Sequence, residues 1–289
     1  IVRCLEILHI EALGLATRLS KIKCKVVVIG ISGGLDSTLG LLVCHEAFKI
    51  NNYDSKGIHA ITMPGFGTTK RTKSNAQILM DLLHVSSEEI SIVDGVNQHF
   101  KDIHHNPEVH NITYENSQAR ERTQILMDLS NAYNAIVVGT GDLSELALGW
   151  CTYNGDHMSM YAVNASVPKT LVRYIVESVA LKDEILHDVL MDICDTPVSP
   201  ELLPPDKNGK IAQKTEEVLG SYDLHDFFLY QMLRHHDEPK KIYDLACVAF
   251  KDVEKETIKK AITTFYNRFL PNNLKETVCQ MVLRLDLFV

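Results

Sequence analysis

The segment Gly30-Ile-Ser-Gly-Gly-Leu-Asp-Ser37 places glycines, hydroxyls and one carboxylate between a β-branched run and a helical pattern. Glycines in a strand-to-helix turn let backbone N–H groups approach an anion closely. The helix N-terminus adds roughly half an elementary positive charge. Ser32 and Ser37 can donate further hydrogen bonds, so the arrangement suits phosphate. It is not the lysine-bearing loop G-x-x-x-x-G-K-[ST], because Asp36 stands where that lysine would be. A carboxylate beside a polyphosphate is repulsive unless Mg²⁺ bridges the two. The chemistry indicated is an ATP site from which pyrophosphate departs, rather than one that transfers the γ-phosphoryl group.

Four further segments concentrate polar residues: Asn116-Ser-Gln-Ala-Arg-Glu-Arg122, Gly139-Thr-Gly-Asp-Leu-Ser-Glu145, Trp150-Cys-Thr-Tyr-Asn-Gly-Asp156 and Val163-Asn-Ala-Ser-Val-Pro-Lys-Thr170. Taken singly, each has an ordinary reading. Lys169 after a proline suits a solvated helix start, and Glu145 suits a first helical turn, where the dipole favours a carboxylate. Arg120 and Arg122 suit ion pairs with Glu115 and Glu121, and Trp150 suits core packing. His99, His104, His105 and His110 lack firm metal-ligand spacing and read as a solvated loop. The mixed-charge run from Lys251 to Lys260 reads as a solvated helix face.

The elements that must position these segments follow from hydropathy. Lys25–Ile31, Ile58–Met63, Ile90–Val93 and Ala135–Thr140 read as buried strands, separated by helical periodicity over Ser37–Lys49, Lys73–Leu83 and Gln118–Tyr133. Alternating strands and helices predict an α/β fold with a doubly wound, mainly parallel sheet, whose ligands bind at the carboxyl ends of the strands. After residue 140 the strand signals stop. A proline-rich connector from Asp195 to Pro205 leads to helical patterns at Gln213–Gly220, Leu224–His235, Lys240–Phe250 and Val253–Leu270. The expected organisation is a nucleotide-handling core over 1–200 and a helical extension of the same domain over 201–289.

Composition narrows the classes. The chain has 289 residues, 45% of them hydrophobic, and a net charge of −8, which excludes a disordered chain and argues against broad nucleic-acid binding. No apolar run approaches the ~20 residues of a bilayer span, and no signal-peptide pattern is present. Seven scattered cysteines without a C-x-x-C pair suit small buried hydrophobes in a cytoplasmic protein.

The loop Ser32-Gly-Gly-Leu-Asp-Ser37 resembles the pyrophosphate loop of the N-type ATP pyrophosphatases, which adenylylate a substrate oxygen and then displace AMP with a nucleophile. Joined by the four other segments in family order, it resembles NAD synthetase, most closely the synthetase portion of glutamine-dependent bacterial enzymes, over residues 1 to about 275. The resemblance implies the Rossmann-like fold of the adenine nucleotide alpha hydrolase type. It implies ATP contacts at Gly30, Ile31, Ser32, Gly33, Gly34, Leu35, Asp36, Ser37, Thr140 and Lys169, and Mg²⁺ at Asp36 and Glu145. Catalytic roles would fall to Asp36, Glu145 and Lys169. Deamido-NAD would meet Asn116, Arg120, Glu145, Trp150, Cys151, Thr152, Tyr153 and Lys275, with Glu276 a departure where a basic residue is common. The resemblance further implies ammonia as nitrogen donor, a homodimer or larger homo-oligomer, and a glutaminase domain or subunit that this chain itself lacks. The rivals are a GMP synthetase-like or tRNA-thiolating relative and a non-catalytic nucleotide-binding module. The acidic balance counts against the tRNA reading, and the Trp150–Tyr153 segment counts against both enzymatic rivals.

Overall fold

The computed structural model describes residues 1–196, 202–203 and 220–285, with backbone only at 70 and 272–285. The chain runs α1 (Val2–Lys21), β1 (Val27–Gly30), α2 (Leu35–Ile50), β2 (Ile58–Thr62), α3 (Lys70–Leu82), β3 (Ser86–Glu89), α4 (Val93–Asp102), α5 (Ile112–Tyr133) and β4 (Ile136–Gly139). It continues through α6 (Leu143–Leu148), β5 (Tyr161–Ala162), α7 (Lys169–Lys182) and α8 (His187–Cys194). After the connector come α9 (Tyr222–His235), α10 (Pro239–Ala249) and α11 (Lys255–Leu285).

The strands form one parallel sheet in the order β3-β2-β1-β4-β5. The chain winds outward from β1 to β3, then returns to the other side of β1 for β4. Strand order therefore reverses between β1 and β4, and a crevice opens at their carboxyl ends. β1 is buried on both faces, with Val27, Val28 and Ile29 fully inaccessible. Because side chains alternate along a strand, Val27 and Ile29 enter the cluster packed by α1, α2, α3, α7 and α8, whereas Val28 enters the opposite cluster with Val96, Phe100 and Tyr114 of α4 and α5. A third cluster joins Ala147 and Leu148 of α6 to Phe228, Ile242, Ile258 and Phe265 of the C-terminal helices.

The doubly wound reading holds, with two corrections to its strands. The third strand is Ser86–Glu89, not Ile90–Val93. It is an edge strand with mostly solvent-facing polar side chains, so its pairing to β2 leaves no hydrophobic trace. The apolar residues that suggested a strand instead anchor the turn into α4, where Ile92 is buried. Strand signals also do not end at residue 140, since β5 pairs Tyr161 and Ala162 with β4, too briefly to leave a period-2 pattern. The histidine stretch includes helix α4, which carries His99, while His105 and His110 pack near the rings of Phe100 and Tyr114. The last helix extends past Leu270 through Pro271 to Leu285, and residues 213–219 of the helix expected over Gln213–Gly220 lie outside the described residues.

Helix α1 buries Ala12, Leu15, Ala16 and Leu19, and this packing carries Glu11 partly inward. Both Glu11 carboxyl oxygens are buried without a hydrogen-bond partner, and burial pushes its pKa up to about 8. The folded chain thus holds this proton more tightly than the unfolded chain does. The associated stability is fully present below the ordinary glutamate value and is lost as pH rises through about 8. Glu11→Gln should therefore stabilise the fold by about 4 kcal/mol at pH 8 and by less than about 1 kcal/mol at pH 5, read by denaturant melts. Equal effects at both pH values would contradict this account.

Candidate active site

The crevice at the switch point contains a cavity of about 500 Å³, lined by the β1–α2 turn, the β4–α6 turn, α5 and the loop after α6. Within the β1–α2 turn, Gly33 has φ +85°, and a Cβ there would collide with the carbonyl of Thr72. Only glycine suits both conditions. Gly34 caps α2 without any side-chain acceptor, so the first amides of that helix keep their donors for an incoming anion. Ser37 lines the cavity and is also bonded within the turn. Its Oγ donates to Gly34 O at 3.1 Å and accepts from Ser32 N at 3.3 Å, so it shapes the turn from within.

Across the crevice, Asp142 caps α6 by accepting from Glu145 N at 2.9 Å. Asn164, fully buried, donates to both Asp36 O and Thr140 O at 2.9 Å and so ties the two turns together. Thr140 packs its methyl group against Gly40 of α2. These links bring together Asp36, Glu145 and Lys169, three residues drawn from three segments of the sequence. The Lys169 ammonium, 4% exposed, donates to Asp36 Oδ2 at 2.6 Å and to Glu145 Oε1 at 2.8 Å. Asp142 Oδ2 lies 2.6 Å away, an ion pair outside hydrogen-bond geometry. The ring of Tyr222 completes the enclosure, its centroid 5.6 Å from the ammonium.

Three carboxylates around one ammonium shape the local electrostatics. Burial pushes Glu145 up to about 7, with Lys169 opposing and Asp36 reinforcing the shift. Burial, and next the charge of Glu145, hold Asp142 well above the usual carboxylate range. For Lys169, burial alone would lower the value, but Asp36, Glu145 and Asp142 together carry it well above that of an ordinary lysine. One oxygen from each of Asp36, Asp142 and Glu145 lies within 4.8 Å of the others. Asp36 Oδ1 is buried with no hydrogen-bond partner. An all-oxygen donor set with an unsatisfied ligand atom suits a hard divalent cation.

The other expected residues divide into two groups. Asn116, Trp150, Cys151 and Thr152 line the cavity, and Thr152 Oγ1 donates to Asn116 Oδ1 at 2.9 Å. The Arg268 guanidinium of α11 lies 5.3 Å from the centre of the Trp150 ring. Arg120 and Tyr153 turn outward: Arg120 is exposed and donates to Tyr153 O at 3.2 Å, while Tyr153 is 59% exposed. Arg122, two residues on, faces the cavity and donates to Met63 O at 3.1 Å. The side chain of Lys275 lies outside the described residues. Sequence reasoning missed Asp142 and Asn164. The spacing of Asp142 and Glu145, an N-cap acceptor three residues before a glutamate, was a signal for the first. Asn164 carried none.

A family model described as NAD synthase matches residues 8–270, and the chain belongs to that family. It is 44% identical over 257 residues to a glutamine-dependent NAD(+) synthetase of Mycobacterium leprae, covering 86% of this chain and 38% of that protein. The chain thus spans well under half the length of this relative. It is 28% identical over 253 residues to an NH(3)-dependent NAD(+) synthetase of Trichlorobacter lovleyi, covering 87% of this chain and 83% of that protein. A solved glutamine-dependent NAD+ synthetase from Acinetobacter baumannii, in complex with adenosine diphosphate, superposes with TM-score 0.58 at 25% identity, over 90% of this chain and 43% of that one.

The buried ion cluster makes a prediction about stability. Lys169→Met leaves three carboxylates facing one another and should cost about 3–5 kcal/mol near pH 8. The loss should shrink towards pH 5.5, because Glu145 and Asp142, already raised, take up protons more readily in the fold than in the unfolded chain. Denaturant unfolding at the two pH values checks it, and a pH-independent loss would count against the cluster's charge state.

Proposed function

We propose that this chain performs the synthetase reaction: the nicotinate carboxylate of deamido-NAD attacks the α-phosphorus of ATP, pyrophosphate leaves, and ammonia displaces AMP to give NAD. The single observation carrying this reading is the Lys169 ammonium among Asp36, Asp142 and Glu145, beside the uncapped N-terminus of α2. Membership of the NAD synthase family and the ADP complex of the Acinetobacter baumannii protein support ATP as co-substrate.

The roles follow from charge. The Gly30–Ser37 turn and the first amides of α2 hold phosphate oxygens, with Thr140 at the facing turn. Lys169 stabilises negative charge that grows on the α-phosphate and on departing pyrophosphate, so it binds the transition state more strongly than the ground state. Asp36, Glu145 and Asp142 are the groups that would hold Mg²⁺. A bound Mg²⁺ would supply screening between these carboxylates and the polyphosphate. Asn116, Trp150, Cys151 and Thr152 line the cavity and are assigned to the nicotinate end of deamido-NAD, whereas Arg120 and Tyr153 are exposed and outside that lining. Ammonia is itself the nucleophile and needs from the protein an oriented, dry approach. Its supply from a glutaminase domain or subunit is supported by the likeness to glutamine-dependent relatives. The setting we propose is a cytoplasmic homodimer. Among the described residues no helix is long and apolar enough to cross a membrane.

NAD formation from deamido-NAD and Mg-ATP should proceed with ammonium and not with glutamine alone. Asp36→Ala should lower kcat by about 10²–10³ fold without unfolding the chain. No NAD with either nitrogen source, despite ATP binding, would favour a different adenylylated substrate or a non-catalytic module. Wild-type turnover in Asp36→Ala would remove that residue from the site.

A further inference from the structure

Helix α7 carries Lys169 at its first position but lacks a cap of its own, because Pro168 before it offers no side-chain acceptor. Its leading amides are satisfied by two other helices. Lys169 N donates to Ser144 Oγ of α6 at 2.9 Å, and Thr170 N donates to Asp226 Oδ2 of α9 at 2.9 Å. Asp226 also closes the circuit. Its Oδ2 accepts from Thr170 Oγ1 at 2.7 Å, and its Oδ1 accepts from Ser144 Oγ at 2.5 Å. Ser144 is 1% exposed and Asp226 8%. Here a carboxylate serves as a helix cap from a segment 56 residues away in the chain.

The circuit bears directly on the ion cluster. A lysine has four rotatable side-chain bonds, so its ammonium is held in place only when its backbone is held too. Ser144 adjoins Glu145 in a six-residue helix, and the same hydroxyl that bonds Asp226 accepts from the backbone of Lys169. Asp226 therefore fixes, through one side chain, the starts of the two helices that bring Lys169 and Glu145 within 2.8 Å. Tyr222, one turn earlier on α9, lays its ring against the same ammonium.

We propose that Asp226 is a positioning residue: by capping α7 and anchoring Ser144, it sets where the Lys169 ammonium lies among Asp36, Asp142 and Glu145. The helical C-terminal region is then part of the reaction machinery. The catalytic consequence rests on the synthetase reading above, whereas the geometric claim does not. Mere cohesion between α9 and the core would instead affect stability alone.

The test compares Asp226→Asn and the milder, near-isosteric Thr170→Val with Leu229→Val, which loosens the apolar face of the same helix. The first readout is the acetylation rate of Lys169 by acetic anhydride in nucleotide-free protein, followed by mass spectrometry. The second is kcat and KM for deamido-NAD with ammonium as donor. In Asp226→Asn, acetylation should rise at least about fivefold and kcat should fall about 10–100-fold with KM within about threefold, since small misplacements act on the chemical step. Thr170→Val should move both in the same direction by less, and Leu229→Val should lower Tm while moving neither. Wild-type acetylation of Lys169 in folded Asp226→Asn or Thr170→Val, or an equal rise in Leu229→Val, overturns the proposal. Should Asp226→Asn not fold, Thr170→Val decides. Should the wild-type chain form no NAD, the synthetase reading fails, and the acetylation comparison still decides the placement of Lys169.

Discussion

One buried ammonium organises this molecule. Lys169 meets three carboxylates at 2.6–2.8 Å, and with all four groups ionised the cluster keeps a net charge of −2. Such a cluster is costly to bury, which is why Glu145 and Asp142 are pushed towards their protonated forms. The same imbalance makes it attractive to a further cation and hostile to a bare polyphosphate. The uncapped amides of α2, which carries Asp36 in its first turn, lie beside the cluster with the opposite polarity. A negative pole that wants a cation therefore adjoins a positive pole that wants an anion, the pairing that the synthetase reading proposed above requires.

Holding that arrangement requires parts from the whole chain. Asp36 arrives on α2, Asp142 and Glu145 on α6, and Lys169 on α7, with the sheet reversal placing all three helices at one crevice. Fine alignment comes from buried polar side chains with two or more partners. Asn164 bonds the backbone of both active turns, and Ser144 bonds Asp226 and Lys169. Each of these residues is nearly inaccessible, so losing one partner would strand another in a medium where water cannot replace it.

The sequence was most legible where the governing physics is local. The glycine-rich turn, the buried runs of β1, β2 and β4, and the periodic helices α2, α3 and α5 are set by neighbours in the chain and appear close to where hydropathy and turn chemistry place them, although α5 begins at Ile112, six residues before the expected Gln118. Legibility failed at the sheet edges, where β3 pairs through its backbone while exposing polar side chains. It failed again in the site wherever a residue's role depends on a remote partner. Asp226 is 82 residues from Ser144, and Asn164 is 128 from Asp36, separations across which no periodicity carries information. The choice between Arg120 and Arg122 is a matter of helical phase: two residues apart on α5, they point to different sides, and only the packed helix shows which faces the cavity.

The C-terminal helices are better understood as a wall of the site than as an extension of it. Helix α6 has only six residues, too few to be stable by its own hydrogen bonds, yet it carries Glu145 and is capped by Asp142. What keeps it formed is the cluster that buries Ala147 and Leu148 against Phe228, Ile258 and Phe265. The same helices supply Asp226 to the start of α7, Tyr222 to the face of the Lys169 ammonium and Arg268 to the ring of Trp150. Burial of apolar surface at the far end of the chain thus underwrites an electrostatic arrangement built mostly from its first two-thirds. The division at residue 200 follows the proline-rich connector; the packing that holds the site crosses it.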